Sequence, residues 1–182
     1  TFKGLPKYKA DGSEIVYTLK EAAIAGYVTR IDGNAKQGFT VVNRNTATLE
    51  IPVKKVWVGP ALKEITVKLL ADGVERDRLT LNVGNNWQGK FTGLAKYSAV
   101  TGEEIRYTIE EVKVPNYNSV ITGDTTGYTI TNTNTETIDI PVAKEWIGKK
   151  ADSATVYLFA DNVQKDSVVL SEANHWRHTF KG

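Results

Sequence analysis

The chain repeats itself with a period of about 89 residues, which restricts the fold to copies of one small module. Phe2-Lys-Gly-Leu-Pro-Lys-Tyr8 matches Phe91-Thr-Gly-Leu-Ala-Lys-Tyr97, and Ile15-Val-Tyr-Thr-Leu-Lys-Glu21 matches Ile105-Arg-Tyr-Thr-Ile-Glu-Glu111. Gly38-Phe-Thr-Val-Val-Asn43 matches Gly127-Tyr-Thr-Ile-Thr-Asn132, and Ile51-Pro-Val-Lys-Lys-Val-Trp57 matches Ile140-Pro-Val-Ala-Lys-Glu-Trp146. The Thr/Asn-rich stretches Arg44-Asn-Thr-Ala-Thr48 and Thr133-Asn-Thr-Glu-Thr137 lack alternation, which predicts module boundaries near residues 46 and 135. The expected organisation is the C-terminal half of a module over 1–45, a complete module over 46–134 and the N-terminal half of another over 135–182. Linkers of about five residues predict a stiff array.

Within the complete module every periodic signal is that of a strand. Alternating runs rich in Val, Ile, Thr and Tyr fall at about 49–58, 64–71, 74–81, 87–92, 104–111, 117–121 and 127–132, and Asp72-Gly73 has the chemistry of a two-residue hairpin turn. Seven short strands without a helical period predict an all-β, antiparallel sandwich of immunoglobulin-like size, in tandem modules.

Three polar residues break the apolar faces. In the first strand Ile51, Val53, Lys55 and Trp57 share a face, so a lysine sits in an apolar row, and the next copy repeats this with Lys144. Glu111 ends the row Ile105, Tyr107, Ile109, as Glu21 ends Ile15, Tyr17, Leu19. Asn132 follows Tyr128 and Ile130, as Asn43 follows Phe39 and Val41. Taken singly, each is an ordinary strand-end residue that snorkels, is solvated or caps a turn. Together they are costly, because a buried ion pair is often no more stable than apolar replacements.

Other function classes find little support. A formal charge of +2 from 23 basic and 21 acidic residues, without a like-charge run, implies neither a nucleic-acid nor a membrane partner. There is no cysteine for disulfides or thiolate chemistry, and no phosphate loop or nucleophile elbow. His175 and His178 are expected on opposite faces of a strand and have no counterpart in Asn86 and Gly89, so no metal or cofactor is expected.

Lys55-Val-Trp57, Leu70-Ala-Asp-Gly73, Asn85-Asn-Trp87, Tyr107-Thr-Ile-Glu-Glu-Val-Lys-Val-Pro-Asn-Tyr117 and Tyr128-Thr-Ile-Thr-Asn-Thr133 together resemble the B-type repeat domains of the Gram-positive collagen adhesin and related pilin domains. Departures are Ala25-Gly26-Tyr27, which lacks the usual proline, Asn116 for a glycine, and Val42-Asn-Arg44 for Thr-Asn-Thr. The resemblance implies a reverse immunoglobulin fold and an intramolecular isopeptide bond from Lys55 to Asn132, promoted by Glu111. Lys144, Glu21 and Asn43 are the matching residues of the flanking halves. Burial would favour the neutral amine and the protonated acid together, so that the amine attacks the amide carbonyl while Glu111 hydrogen-bonds that carbonyl and shuttles protons, and ammonia leaves. Such a bond forms once, so the chain is not read as an enzyme.

The implied function is a stalk repeat of a wall-anchored extracellular adhesin or pilus-like protein, with anchor and export signal outside this segment. The alternative is a module that itself binds a host matrix ligand, but the loops 59–63 and 148–152 differ between copies. The expected partners are neighbouring repeats. A head-to-tail contact would bring Lys144 of one chain to Glu21 and Asn43 of the next.

Overall fold

The structure is a computed structural model describing all residues from Thr1 to Gly182. They form two compact units, Thr1–Asn134 and Thr135–Gly182. The first contains β1 (Tyr27–Asn34), β2 (Gly38–Asn45), β3 (Thr48–Val58), β4 (Glu64–Ala71), β5 (Val74–Asn82), β6 (Gln88–Ala95), β7 (Tyr107–Glu111), β8 (Tyr117–Asp124) and β9 (Gly127–Asn134). The second contains β10 (Ile140–Ala143), β11 (Ser153–Ala160), β12 (Val163–Ser171) and β13 (Arg177–Phe180).

Strands β3 to β9 make a two-layer sandwich, one sheet ordered β6-β3-β9-β8 and the other β5-β4-β7. Ile51, Val53, Phe91 and Ile130 of the first sheet bury against Ile65, Val67, Leu69, Leu81, Tyr107 and Ile109 of the second. The alternation of β3 explains this, since Ile51, Val53 and Lys55 point inward while Pro52 and Lys54 stay exposed. The turn at Asp72 (φ 49°) and Gly73 (φ 80°) has both central residues left-handed, which matches the twist of the hairpin it joins. Asn116 also has a positive φ, 62°, a conformation that Asn tolerates in place of glycine.

One pairing departs from the antiparallel expectation. The first and last strands of the module, β3 and β9, run parallel, with Lys55 opposite Ile130 and Trp57 opposite Asn132. Alternation of apolar residues is the same for either direction, so only the long connection between the strands permits this arrangement. Pro52 is tolerated because the parallel ladder begins at Val53. The Lys55 N–H bonds Trp87 O on the β6 side, so the N–H that Pro52 lacks would point towards β9, before that ladder starts.

Strand boundaries differ where a sheet neighbour is missing. Ile15–Glu21 is not a strand, although its match β7 is, because β7 pairs only with β4 and residues 1–45 contain no such strand. Similarly β10 stops at Ala143 before Lys144, having β13 but no counterpart of β9 beside it. Strands extend into the expected linkers, leaving only Thr46 and Ala47 between β2 and β3. His175 is not on a strand: it has a left-handed backbone (φ 55°) capping the 3-10 turn Glu172–Asn174, as Asn86 caps Val83–Asn85.

Candidate functional site

The three inward polar residues of the complete module meet in the sandwich interior. Lys55 from β3 and Asn132 from β9 are 3% and 0% exposed, neighbours in one sheet. Glu111, at the end of β7, reaches them from the opposite sheet. Its Oε1 lies 3.7 Å from Lys55 Nζ and accepts a hydrogen bond from Asn132 Nδ2 at 3.1 Å. One carboxylate oxygen therefore touches both the amine and the amide nitrogen.

Burial pushes the Lys55 amine down from 10.5 to about 8, and the Glu111 charge only partly opposes it. At pH 7 that leaves about one amine in ten neutral, against about three in ten thousand for an ordinary lysine. The neutral amine has two hydrogens and one lone pair. Val56 O at 3.0 Å and Ile130 O at 3.4 Å accept the hydrogens, which leaves the lone pair for bond formation. Glu111 Oε2 and Asn132 Oδ1 are buried without a hydrogen-bond partner, so the site is not a fully satisfied structural network.

An aromatic wall covers the amine. Lys55 Nζ lies 4.2 Å from the Trp57 ring, and Trp57 meets Trp87 and Tyr117 edge to face at 5.2 and 5.1 Å. Trp87 has a left-handed backbone, φ 57°, unusual for so bulky a residue, and its carbonyl accepts the Lys55 N–H at 2.8 Å. Trp176 repeats this, with φ 59° and its carbonyl on the Lys144 N–H at 2.8 Å. The sequence signal for this wall was the recurrence of all four Trp in register, which packing alone would also explain.

Each flanking segment holds its own part of the set. Lys144 Nζ bonds Glu145 O at 2.7 Å and lies 4.3 Å from the Trp146 ring, as Lys55 does with Val56 and Trp57. In the first unit Asn43 Nδ2 bonds Glu21 Oε1 at 3.2 Å, and Thr29 Oγ1 lies 2.8 Å from Glu21 Oε2 and 2.7 Å from Asn43 Oδ1. The lysine half and the carboxylate–amide half are thus each shaped locally. Faces that the complete module buries stand open in these halves: Val41 is 41% exposed where Ile130 is fully buried, and Ile140 is 38% exposed where Ile51 is fully buried.

The chain is similar to known proteins over nearly its whole length. The family model of the Cna protein B-type domain matches residues 1–44 and 51–133. The collagen adhesin of Staphylococcus aureus is 34% identical over 199 residues, covering all of this chain and 16% of the adhesin. The crystal structure of two B repeat units of the collagen binding protein of Staphylococcus aureus aligns with a TM-score of 0.52 and 31% identity, covering 98% of this chain and 50% of that one. The chain thus spans a small part of the adhesin and half of the two-repeat structure.

Proposed function

We propose, from the premise that the chain belongs to the Cna protein B-type domain family, that it is a stalk repeat of an extracellular, wall-anchored surface adhesin whose modules are closed by Lys–Asn isopeptide bonds. The observation that carries this is the Glu111 oxygen in contact with both Lys55 Nζ and Asn132 Nδ2 in a buried site. The neutral Lys55 amine adds to Asn132 Cγ, Glu111 takes the proton that the amine sheds and delivers it to Nδ2, and ammonia leaves. Alignment in a dry interior replaces the encounter that an amine and an amide would need in water. The reaction consumes its own side chains, so it is maturation of a structural protein.

The bond ties the first strand of the module to the last, which suits a repeat that transmits tension. A panel of immobilised matrix proteins distinguishes a stalk from a ligand-binding module. The stalk reading predicts no retention of this chain above an unrelated β-sandwich, whereas saturable binding to one matrix protein would make the module itself an adhesin.

The same chemistry extends to the flanking halves. Residues 135–182 supply Lys144 and residues 1–45 supply Glu21 and Asn43, so consecutive segments of a longer polypeptide, or two copies head to tail, complete a module. Closure between copies would appear in a denatured mass spectrum as a dimer lacking one further ammonia, lost on Lys144→Ala. A monomer alone at high concentration would limit completion to a single polypeptide.

A further inference from the structure

Trp57 combines a buried, unused hydrogen-bond donor with a position directly beside the reacting amide. Its indole Nε1 is buried without an acceptor, and Asn132 Oδ1 is buried without a donor. The two residues are direct neighbours across the parallel β3/β9 pair, and both belong to the inward-facing row of their strand. Trp146 Nε1 is likewise buried and unpaired in the second unit, which contains no match for Asn132. The open donor is therefore a property of the lysine–tryptophan segment itself, present without an amide beside it.

We propose that the Trp57 indole N–H donates a hydrogen bond to the side-chain carbonyl oxygen of Asn132 while the Lys55 amine adds to it, holding the negative charge that develops there. This rests on the isopeptide reading above and adds, at the carbonyl end of the reaction, a donor from outside the Lys–Glu–Asn set. Glu111 Oε1 already accepts from Asn132 Nδ2, so the carboxyl group is placed at the leaving nitrogen. Glu111 thus has one oxygen on the leaving nitrogen, and Trp57 supplies a further donor for the carbonyl oxygen. The Nζ–Cγ bond forms, the Cγ–Nδ2 bond breaks, one proton passes from the amine through Glu111 to Nδ2, and no electrons are exchanged with any other group. A donor fixed in the dry interior acts strongly on such charge because it need not reorient during the reaction.

The test starts from the full chain recovered in denaturant, where the groups are apart, and follows loss of ammonia by intact mass after dilution into buffer across a range of pH. Trp57 is replaced by β-(3-benzothienyl)alanine, in which sulfur stands for the N–H with little change of shape, and separately by Trp57→Phe, which keeps an aromatic ring. Both replacements should fold and close slowly, by a factor on the order of 10²–10³, as for loss of one oxyanion donor. For the benzothienyl chain the slowing should be the same at every pH, with the midpoint of the pH profile unmoved, because the ring face against the Lys55 amine is kept. A benzothienyl chain closing at the wild-type rate would overturn the donor role and leave the N–H as a contact with the neighbouring rings. A shifted midpoint would also overturn it, assigning Trp57 to the amine. If the benzothienyl chain does not fold, the rate outcome alone is read from Trp57→Phe, closure at the wild-type rate again overturning the donor role. Wild-type chain that never loses ammonia would sink the isopeptide reading and this one with it, whereas wild-type closure with unslowed variants sinks only this one.

Discussion

Glu111→Ala is expected to leave the chain at its full sequence mass and to lower the melting temperature of the central module by at least roughly 20–35 °C, the share due to the missing bond. The 77 residues separating Lys55 from Asn132 form the loop that the bond would close. Treated like a disulfide loop of that length, the bond removes chain entropy from the unfolded state that corresponds to about 4.5 kcal/mol. A domain of this size shifts by about 4–8 °C per kcal/mol, which gives the stated range. Two effects are combined in Glu111→Ala, because the variant also leaves the Lys55 amine buried without its carboxylate. The double variant Lys55→Met/Glu111→Leu separates them: it removes the bond and both buried charges together and should lose mainly the entropic part, so it should melt above Glu111→Ala. Thermal unfolding followed by circular dichroism provides the comparison. Variants melting within a few degrees of wild type would show that no covalent link had been lost.

Stretching a single chain should show an equally large contrast. An unlinked module of 89 residues releases about 300 Å when it unfolds, at roughly 3.5 Å per residue. With Lys55 joined to Asn132, tension passes from β3 directly to β9, and the loop between them never extends. Only the few residues outside that loop lengthen, about 40 Å at the same extension per residue. Force spectroscopy on wild type should therefore show no long release from the central module, and Glu111→Ala should restore it. A 300 Å step in wild-type chains would mean that the module is held by noncovalent packing alone.

Most of the fold was legible because a period of two residues is read directly from sequence. The inward row Ile51, Val53, Lys55 predicted which side chains would be buried, and the Asp72-Gly73 pair predicted its hairpin. Lys55, Glu111 and Asn132 could be placed on inner faces for the same reason. The parallel direction of β3 and β9 could not be read, since alternation carries no direction and the strands lie far apart in sequence. Ile15–Glu21 and Lys144–Trp146 show the limit of local pattern: they carry the same alternation as β7 and β3, yet a strand needs a neighbour to pair with. The unpaired Trp57 Nε1 lay beyond sequence reasoning as well. Recurrence in register marked Trp57 and Trp146 as repeated features, but only three-dimensional packing distinguishes an indole that merely fills space from one with an open donor.

The decisive measurement is the intact mass of folded, then denatured, wild-type chain, with peptide mapping of the product. The expected mass is that of the sequence less one ammonia, accompanied by a branched peptide joining Lys55 to Asn132 and absent from Glu111→Ala. Folded wild-type chain at its full sequence mass, giving only linear peptides from both strands, would contradict the cross-link.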